Sequence, residues 1–232
     1  MFLGVSWRFW SGAVVVALFL ISFPYADIWV SSFFYENGVW RWKTNPFLRF
    51  LYDYAPLGTA FFVSCCFAAA LGAIWGARMR RGGEAGFFYA RRYLLIFLVL
   101  SYALGAGLIV NTLFKDQFGR ARPSQIVEFG GDKRFTPPMT IANECEKNCS
   151  FSSGHATVGF YFVSAAMVLK GGASRAVFVF AVLYGSLIGF ARIAQGGHFF
   201  SDVVFSFIFV YLTAKILFYV MFDRLKLERA SV

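Results

Sequence analysis

Six apolar runs, at about residues 9–30, 55–77, 93–114, 153–170, 175–192 and 199–221, each approach the ~20 residues that a helix needs to cross a bilayer. Such a chain is constrained more by lipid than by water. Within a bilayer a peptide group finds no solvent partner, so the backbone satisfies itself inside helices. The composition agrees: of 232 residues, 59% are hydrophobic, 21% aromatic and only 15% charged, a balance outside the soluble range. No internal repeat, low-complexity segment or second domain interrupts the pattern. The expected architecture is one membrane-embedded domain over residues 1–232, all-α and polytopic, with six transmembrane helices.

Local signals mark the joints. The fourth run opens on Ser152-Ser153, residues that cap helix N-termini well. Lys170 to Arg175 reads as a tight turn, and Gly196-Gly197 as a short loop between the fifth and sixth runs. The first run follows Arg8 but lacks a small-residue cleavage site, so it reads as a retained anchor. Residues 31–54 mix Trp40, Trp42, Phe47, Phe50 and Tyr52 with Arg41, Lys43 and Arg49, the make-up of an interfacial stretch.

Alternation puts loops 31–54, 115–152 and 192–198 on one side, and both termini with loops 78–92 and 170–175 on the other. The 78–92 loop concentrates Arg78, Arg80, Arg81, Arg91 and Arg92, the pattern of a cytoplasmic loop. Total Lys and Arg are nearly equal on the two sides, but Lys115, Arg122 and Arg192 on the first side have a chemical explanation. Cys145 and Cys149 lie in a polar loop on that side. If the loop forms a helical turn, residues four apart are near enough to bridge. A disulfide and two free thiols are both open; the disulfide is the expectation, and it favours an oxidising compartment. Cys65 and Cys66 read as packing residues, and no second ligand pair suggests zinc. Both termini are therefore expected in the cytoplasm, with the first side on the outer face of the membrane.

The net charge is +10, from 22 Lys and Arg against 12 Asp and Glu. These charges are scattered between apolar runs and form no stripe, which argues against nucleic acid. Anionic lipid or a phosphorylated substrate fits better. No obligate protein partner is evident.

The chain holds two histidines, and both lie in glycine-containing loop sequence. Ser153-Gly154-His155 opens the fourth run, where free N–H groups and the helix dipole create an anion site next to His155. By itself this could be an ordinary cap with an interfacial histidine. His198 and Asp202 are four apart and share one helix face, so the carboxylate can fix the imidazole tautomer. By itself this could be a structural pair. Arg192 can fold over the same pocket across Gly196-Gly197. Lys115 and Arg122 are seven apart, two turns if the third helix continues, and suit phosphate oxygens; the alternative is a solvated basic loop. Arg120 reads as a spare cation for a second phosphate or a headgroup. Topology puts all three clusters on one face.

In this order, Lys115-x6-Arg122-Pro123, Ser153-Gly154-His155 and Arg192-x5-His198-x3-Asp202 resemble the signature of the type 2 phosphatidic acid phosphatase superfamily, K-x6-R-P, P-S-G-H and S-R-x5-H-x3-D. With the six-span layout the resemblance covers nearly the whole chain. Two positions depart: Ser152 stands where the family has Pro, where it can serve as the helix cap, and Ala191 where it has Ser. Within the family, the stretches Gly119 to Pro123 and Cys149 to His155 are most similar to bacterial lipid A phosphatases.

The resemblance implies a phosphatase that needs no cofactor and no metal. His198 would attack phosphorus to form a phosphohistidine, oriented by Asp202, and His155 would serve as acid and then base. Lys115, Arg122, Ser153, Gly154 and Arg192 would hold the phosphoryl oxygens. The implied substrate is a membrane lipid phosphate: a lipid A phosphate, undecaprenyl pyrophosphate or phosphatidylglycerophosphate. A lipid phosphotransferase using the same intermediate, or a non-enzymatic lipid-phosphate carrier, are the competing readings. A vanadate haloperoxidase shares such site residues, but its soluble body does not fit six apolar spans.

Overall fold

The computed structural model describes residues 1–79, 89, 91–115 and 117–227. Arg80 and Arg81 of the expected cytoplasmic cluster lie outside the described residues, as does the Arg78 side chain. Helix α1 (Trp7–Ser22) is capped by Ser6, whose Oγ accepts from the Phe9 amide at 3.2 Å. It does not run on through the first apolar stretch. At Phe23-Pro24 the chain bends by 80° into α2 (Tyr25–Ser32). Pro24 brings no N–H to the helix ladder and biases the residue before it away from helical geometry. The expected single anchor is thus a broken pair.

A small hairpin follows, β1 (Tyr35–Glu36) against β2 (Val39–Trp40), with Tyr35 opposite Trp40. Asn37 and Gly38 both take positive φ, at 53° and 81°, as a two-residue primed turn requires. The expected interfacial stretch is therefore part hairpin and part helix. Helix α3 (Pro46–Met79) already begins within it, nine residues before the apolar run, with Pro46 at the first position, where proline is favoured. Asn45 Oδ1 accepts from the Leu48 amide at 3.1 Å and closes that end.

Helix α4 (Arg92–Phe114) is α-helical to Ser101 and π-helical from Tyr102 to Phe114. Helix α5 (Gly154–Val168) is a shorter apolar helix, interrupted at Tyr161, whose hydroxyl donates to the Leu98 carbonyl at 3.0 Å. Helices α6 (Gly171–Ala194) and α7 (Phe200–Arg224) follow. Among the described residues, α3, α4, α6 and α7 are long and apolar enough to cross a membrane, and the α1–α2 pair makes a fifth if counted as one span. The protein is thus a mostly helical membrane protein, and its fourth run folds as a helix too short for the ~30 Å apolar layer on its own. That helix is interior. Ala156, Thr157, Val158, Gly159 and Phe160 are all buried, and a Cβ on Gly159 would lie 2.5 Å from the Gly185 Cα, so α5 and α6 touch backbone to backbone.

The three loops that alternation assigned to one side meet at one end of the bundle. Trp40 of the hairpin, Ala121, Ile126 and Phe129 of the long loop, and Phe199 before α7 form one buried cluster. Gly196 takes φ +70°, and a Cβ there would lie 2.5 Å from the Trp40 ring. This apolar cap holds the polar residues beneath it in register.

Candidate active site

The start of α5 supplies the first part. Ser153, not Ser152, is the N-cap: its Oγ accepts from the Ala156 amide at 3.4 Å. Ser152 is instead buried, and its hydroxyl has no hydrogen-bond partner among the described residues. Gly154 is the first helical residue, where unpaired N–H groups and the positive dipole end favour an anion. A Cβ on Gly154 would lie 2.6 Å from Asn111 Oδ1 and 3.5 Å from Lys115 Nζ. Glycine therefore leaves room over the helix start, and Lys115 sits beside it.

Lys115 and Arg122 converge by a turn, not by two turns of continued helix. Helix α4 ends at Phe114, Gly119 takes φ +59°, and Arg122 is extended at φ −82°, ψ 157°. A Cβ on Gly119 would overlap the Ala142 carbonyl, so glycine is required there. Arg122 donates from Nη2 to the Asn148 carbonyl at 2.7 Å. Arg192, His198, Lys115 and Arg122 all lie within electrostatic reach of His155.

Tyr52, on α3, organises the other side. The His155 ring stacks on it, with centroids 4.4 Å apart and planes 16° from parallel. The Arg192 guanidinium lies 4.6 Å from the same ring centre. Arg192 Nη1 donates to Gln195 Oε1 at 2.6 Å, and a Cβ on Gly197 would lie 2.1 Å from Arg192 Nη2. Gly197 thus makes space for the folded-back arginine, while Gly196 packs on Trp40. Ala191 faces away from the site and packs with Leu48, Leu51 and Ala194, so its departure from serine leaves the site unchanged.

His198 is buried between α6 and α7. Its Nδ1 contacts the Ser150 carbonyl at 2.7 Å, while Asp202 Oδ2 is 3.6 Å away, an ion-pair distance too long for a hydrogen bond. The expected direct histidine–carboxylate hydrogen bond is corrected: Ser150 lies between the two. A carbonyl only accepts, so Nδ1 carries the proton and Nε2 keeps its lone pair. Nε2 has no hydrogen-bond partner among the described residues. Burial holds the imidazole well below its ordinary range, at about 4, against the opposing pull of Asp202. The ring is neutral near pH 7, as a nucleophile requires.

Arg120 is not a spare cation at the surface. It is 1% exposed. It donates to Asp202 Oδ1 at 2.6 Å, Asp27 Oδ2 at 2.8 Å, Ser201 Oγ at 3.0 Å and the Thr136 carbonyl at 2.8 Å. Asp202 Oδ2 also accepts from Ser150 Oγ at 2.5 Å and from the Phe199 amide at 2.8 Å. Sequence reasoning missed Tyr52, Ser150, Asp27 and Ser201. Only Asp27 left a signal, as an acid inside an apolar run.

Cys145 and Cys149 form a disulfide, with Cα atoms 5.6 Å apart, in irregular chain leading into Ser150. Among the described residues, no group of three or more His, Cys, Asp or Glu side chains could hold a metal ion. The arrangement joins a neutral histidine whose Nε2 has no hydrogen-bond partner among the described residues, a second histidine, three cations and a helix N-terminus, a combination suited to a phosphoryl group.

The family profile of the PAP2 superfamily matches residues 94–226. Over 210 residues the chain is 35% identical to a lipid A 4'-phosphatase of Francisella tularensis subsp. novicida (strain U112), covering 89% of this chain and 91% of that protein. A lipid A 4'-phosphatase of Rhizobium leguminosarum is 33% identical over 101 residues, 44% of this chain and 43% of that protein. One of Rhizobium etli is 37% identical over 102 residues, 43% of this chain and 39% of that protein. No solved structure matches.

Proposed function

The chain belongs to the PAP2 superfamily and is a phosphoric monoester hydrolase of the membrane, and from that premise we propose that it removes a phosphate from lipid A through a phosphohistidine on His198. The observation that carries the chemistry is the His198 ring itself, with Nδ1–H anchored on the Ser150 carbonyl and Nε2 buried without a hydrogen-bond partner among the described residues. The lipid follows from the relatives, all three of which are named for the lipid A 4'-phosphate, one along 91% of its length. Undecaprenyl pyrophosphate and phosphatidylglycerophosphate rank behind it on that ground.

In the first step the Nε2 lone pair forms an N–P bond as the P–O bond to the sugar breaks. Burial and the cations Arg192, Lys115 and Arg122 hold His155 neutral in the free site; the bound phosphate's negative charge offsets them, so that His155 takes up a proton with the substrate and passes it to the departing oxygen. The resulting imidazolium is balanced by Asp202, 3.6 Å from Nδ1. In the second step His155 takes a proton from water, the water oxygen bonds phosphorus, and the N–P bond breaks to release inorganic phosphate and neutral His198. Lys115, Arg122 and Arg192, with Ser153 and the amide of Gly154, hold the three phosphoryl oxygens and offset their charge in the transition state. Because fixed cations supply that charge, the reaction needs no metal.

We place the site at the periplasmic face of the bacterial inner membrane, with both termini cytoplasmic. The disulfide supports this, since it sits in the same loop as Arg122 and Ser150.

Phosphate release from purified lipid A in excess chelator tests the reading. The wild type is expected to release phosphate without an added acceptor, and His198→Ala to release none. Loss of activity in chelator with recovery on adding Mg²⁺, or a 32P-phosphoenzyme trapped on any residue other than His198, overturns the mechanism. Preference for undecaprenyl pyrophosphate over lipid A overturns the substrate.

A further inference from the structure

The nucleophile is not held by Asp202 alone. Arg120 sits between two buried carboxylates, Asp27 on α2 and Asp202 on α7, at 2.8 and 2.6 Å. All three side chains are nearly inaccessible, at 1–3% exposure or less. A second chain of contacts leaves Asp202. Ser150 Oγ donates to Asp202 Oδ2 at 2.5 Å, and the carbonyl of that same serine accepts the Nδ1–H of His198 at 2.7 Å. The Ser150 amide donates in turn to the Arg120 carbonyl at 2.9 Å. Asp27 is itself tied to the start of α7, accepting from the Ser201 amide at 2.8 Å and from the Ser201 hydroxyl at 2.5 Å.

We propose that Arg120 and Ser150 are positioning residues: Arg120 clamps Asp202 to the bent segment α2 through Asp27, and Ser150 transmits that clamp to the nucleophilic histidine. The proposal rests on His198 being the nucleophile. Its physical content is geometric. A planar guanidinium can hold two carboxylates in fixed directions at once, which a lysine ammonium does not do. The Ser150 carbonyl fixes the tautomer and the ring plane, and its hydroxyl fixes where that carbonyl stands. Asp202 then balances the imidazolium in the intermediate without touching it directly. Neither residue meets the substrate.

A purely structural account gives Arg120 one task, to neutralise Asp27 and so hold α2 to the bundle, the charge of Asp202 being met also by the Ser150 hydroxyl and the Phe199 amide that donate to it. The two accounts separate in the double variant Asp27→Asn/Arg120→Gln, which removes the Asp27–Arg120 pair and leaves Asp202 in place. Under the structural account its melting temperature and kcat both return to wild-type values. Under the proposal the fold recovers relative to Arg120→Gln alone, yet kcat stays at least about tenfold low with KM unchanged, the effect of losing an interaction that matters only in the transition state. Wild-type kcat in the double variant overturns the proposal.

Ser150→Ala provides a second test should the charged variants fail to fold. It removes one hydroxyl, is expected to melt like the wild type, and should lower kcat about tenfold at constant KM; unchanged kcat also overturns the proposal. Arg120→Lys should stay impaired, because it keeps the charge but loses the fork. Trapping of the phosphoenzyme on wild-type protein by a denaturing alkaline quench, which preserves an N–P bond, runs alongside. A label on His198 with unaffected variants sinks the positioning role alone, whereas a label elsewhere sinks the catalytic assignment on which it rests.

Discussion

Tyr52 shows what a single residue adds to this site. Its ring carries His155 on stacking contact at 4.4 Å and Arg192 at 4.6 Å, so one aromatic plate sets the spacing between the proposed acid and a proposed phosphate ligand. Aromatic stacking and cation–π contact contribute roughly 0.5–1.5 and 0.5–2 kcal/mol respectively. Tyr52→Ala is expected to lower kcat/KM by roughly tenfold to a hundredfold in phosphate-release assays, on the scale of those contacts. Tyr52→Phe, which keeps the ring, should stay near wild type; a large loss there would mean that the hydroxyl and not the plate matters. The motif residues were readable because their spacing is local: His198 and Asp202 are four positions apart, although α7 starts only at Phe200, between them. The residues that hold them were not. Arg120 and Asp27 are 93 positions apart, and Ser150 and His198 are 48 apart. No periodicity relates such pairs, and an aromatic at an interface looks the same whether it faces lipid or a histidine.

At the scale of elements, the fourth apolar run carries the lesson. Its length suggested a span, yet α5 is a short interior helix packed on α6 at Gly159 and Gly185. Small residues let helices approach closely in membranes, where packing replaces the hydrophobic drive between helices. A methyl group at Gly159 has no space, because it would meet the Gly185 Cα and amide at 2.5 and 2.7 Å. Gly159→Ala should therefore push α5 away from α6 and lower the thermal midpoint of detergent-solubilised protein, with an overpacking cost of about 1–3 kcal/mol. An unchanged midpoint would mean that α5 shifts freely. The displacement should also reach His155, which opens the same helix. The bend at Phe23-Pro24 was likewise present in the sequence as a proline, but its 80° angle came from packing. That bend turns α2 so that Asp27 reaches Arg120 and Ser201.

The whole molecule gathers three distant loops into one cap. Trp40, Ala121, Ile126, Phe129 and Phe199 form the apolar part of that cap, and beneath it lie Arg120, Asp202 and His198. Cap and disulfide are at the same end as the candidate site, which gives the topology a direct check. In a Cys65→Ser/Cys66→Ser background, Lys133→Cys in the long loop should react with a membrane-impermeant maleimide in intact spheroplasts. Lys170→Cys, in the turn before α6, should react only after lysis. The reverse pattern would invert the proposed orientation.

Taken by itself, the sequence determined that this is a helical membrane protein and which charged residues could handle phosphate. Both properties depend on composition and short spacing: apolar length sets membrane crossing, and residues within one turn share a helix face. The tertiary structure alone decided that the fourth run stays short and interior, that Arg120 is buried between Asp27 and Asp202, and that Ser150 stands between Asp202 and His198. Those outcomes depend on which surfaces meet when the helices pack. A buried charge has to find its partners wherever packing brings them, not where the chain order would suggest.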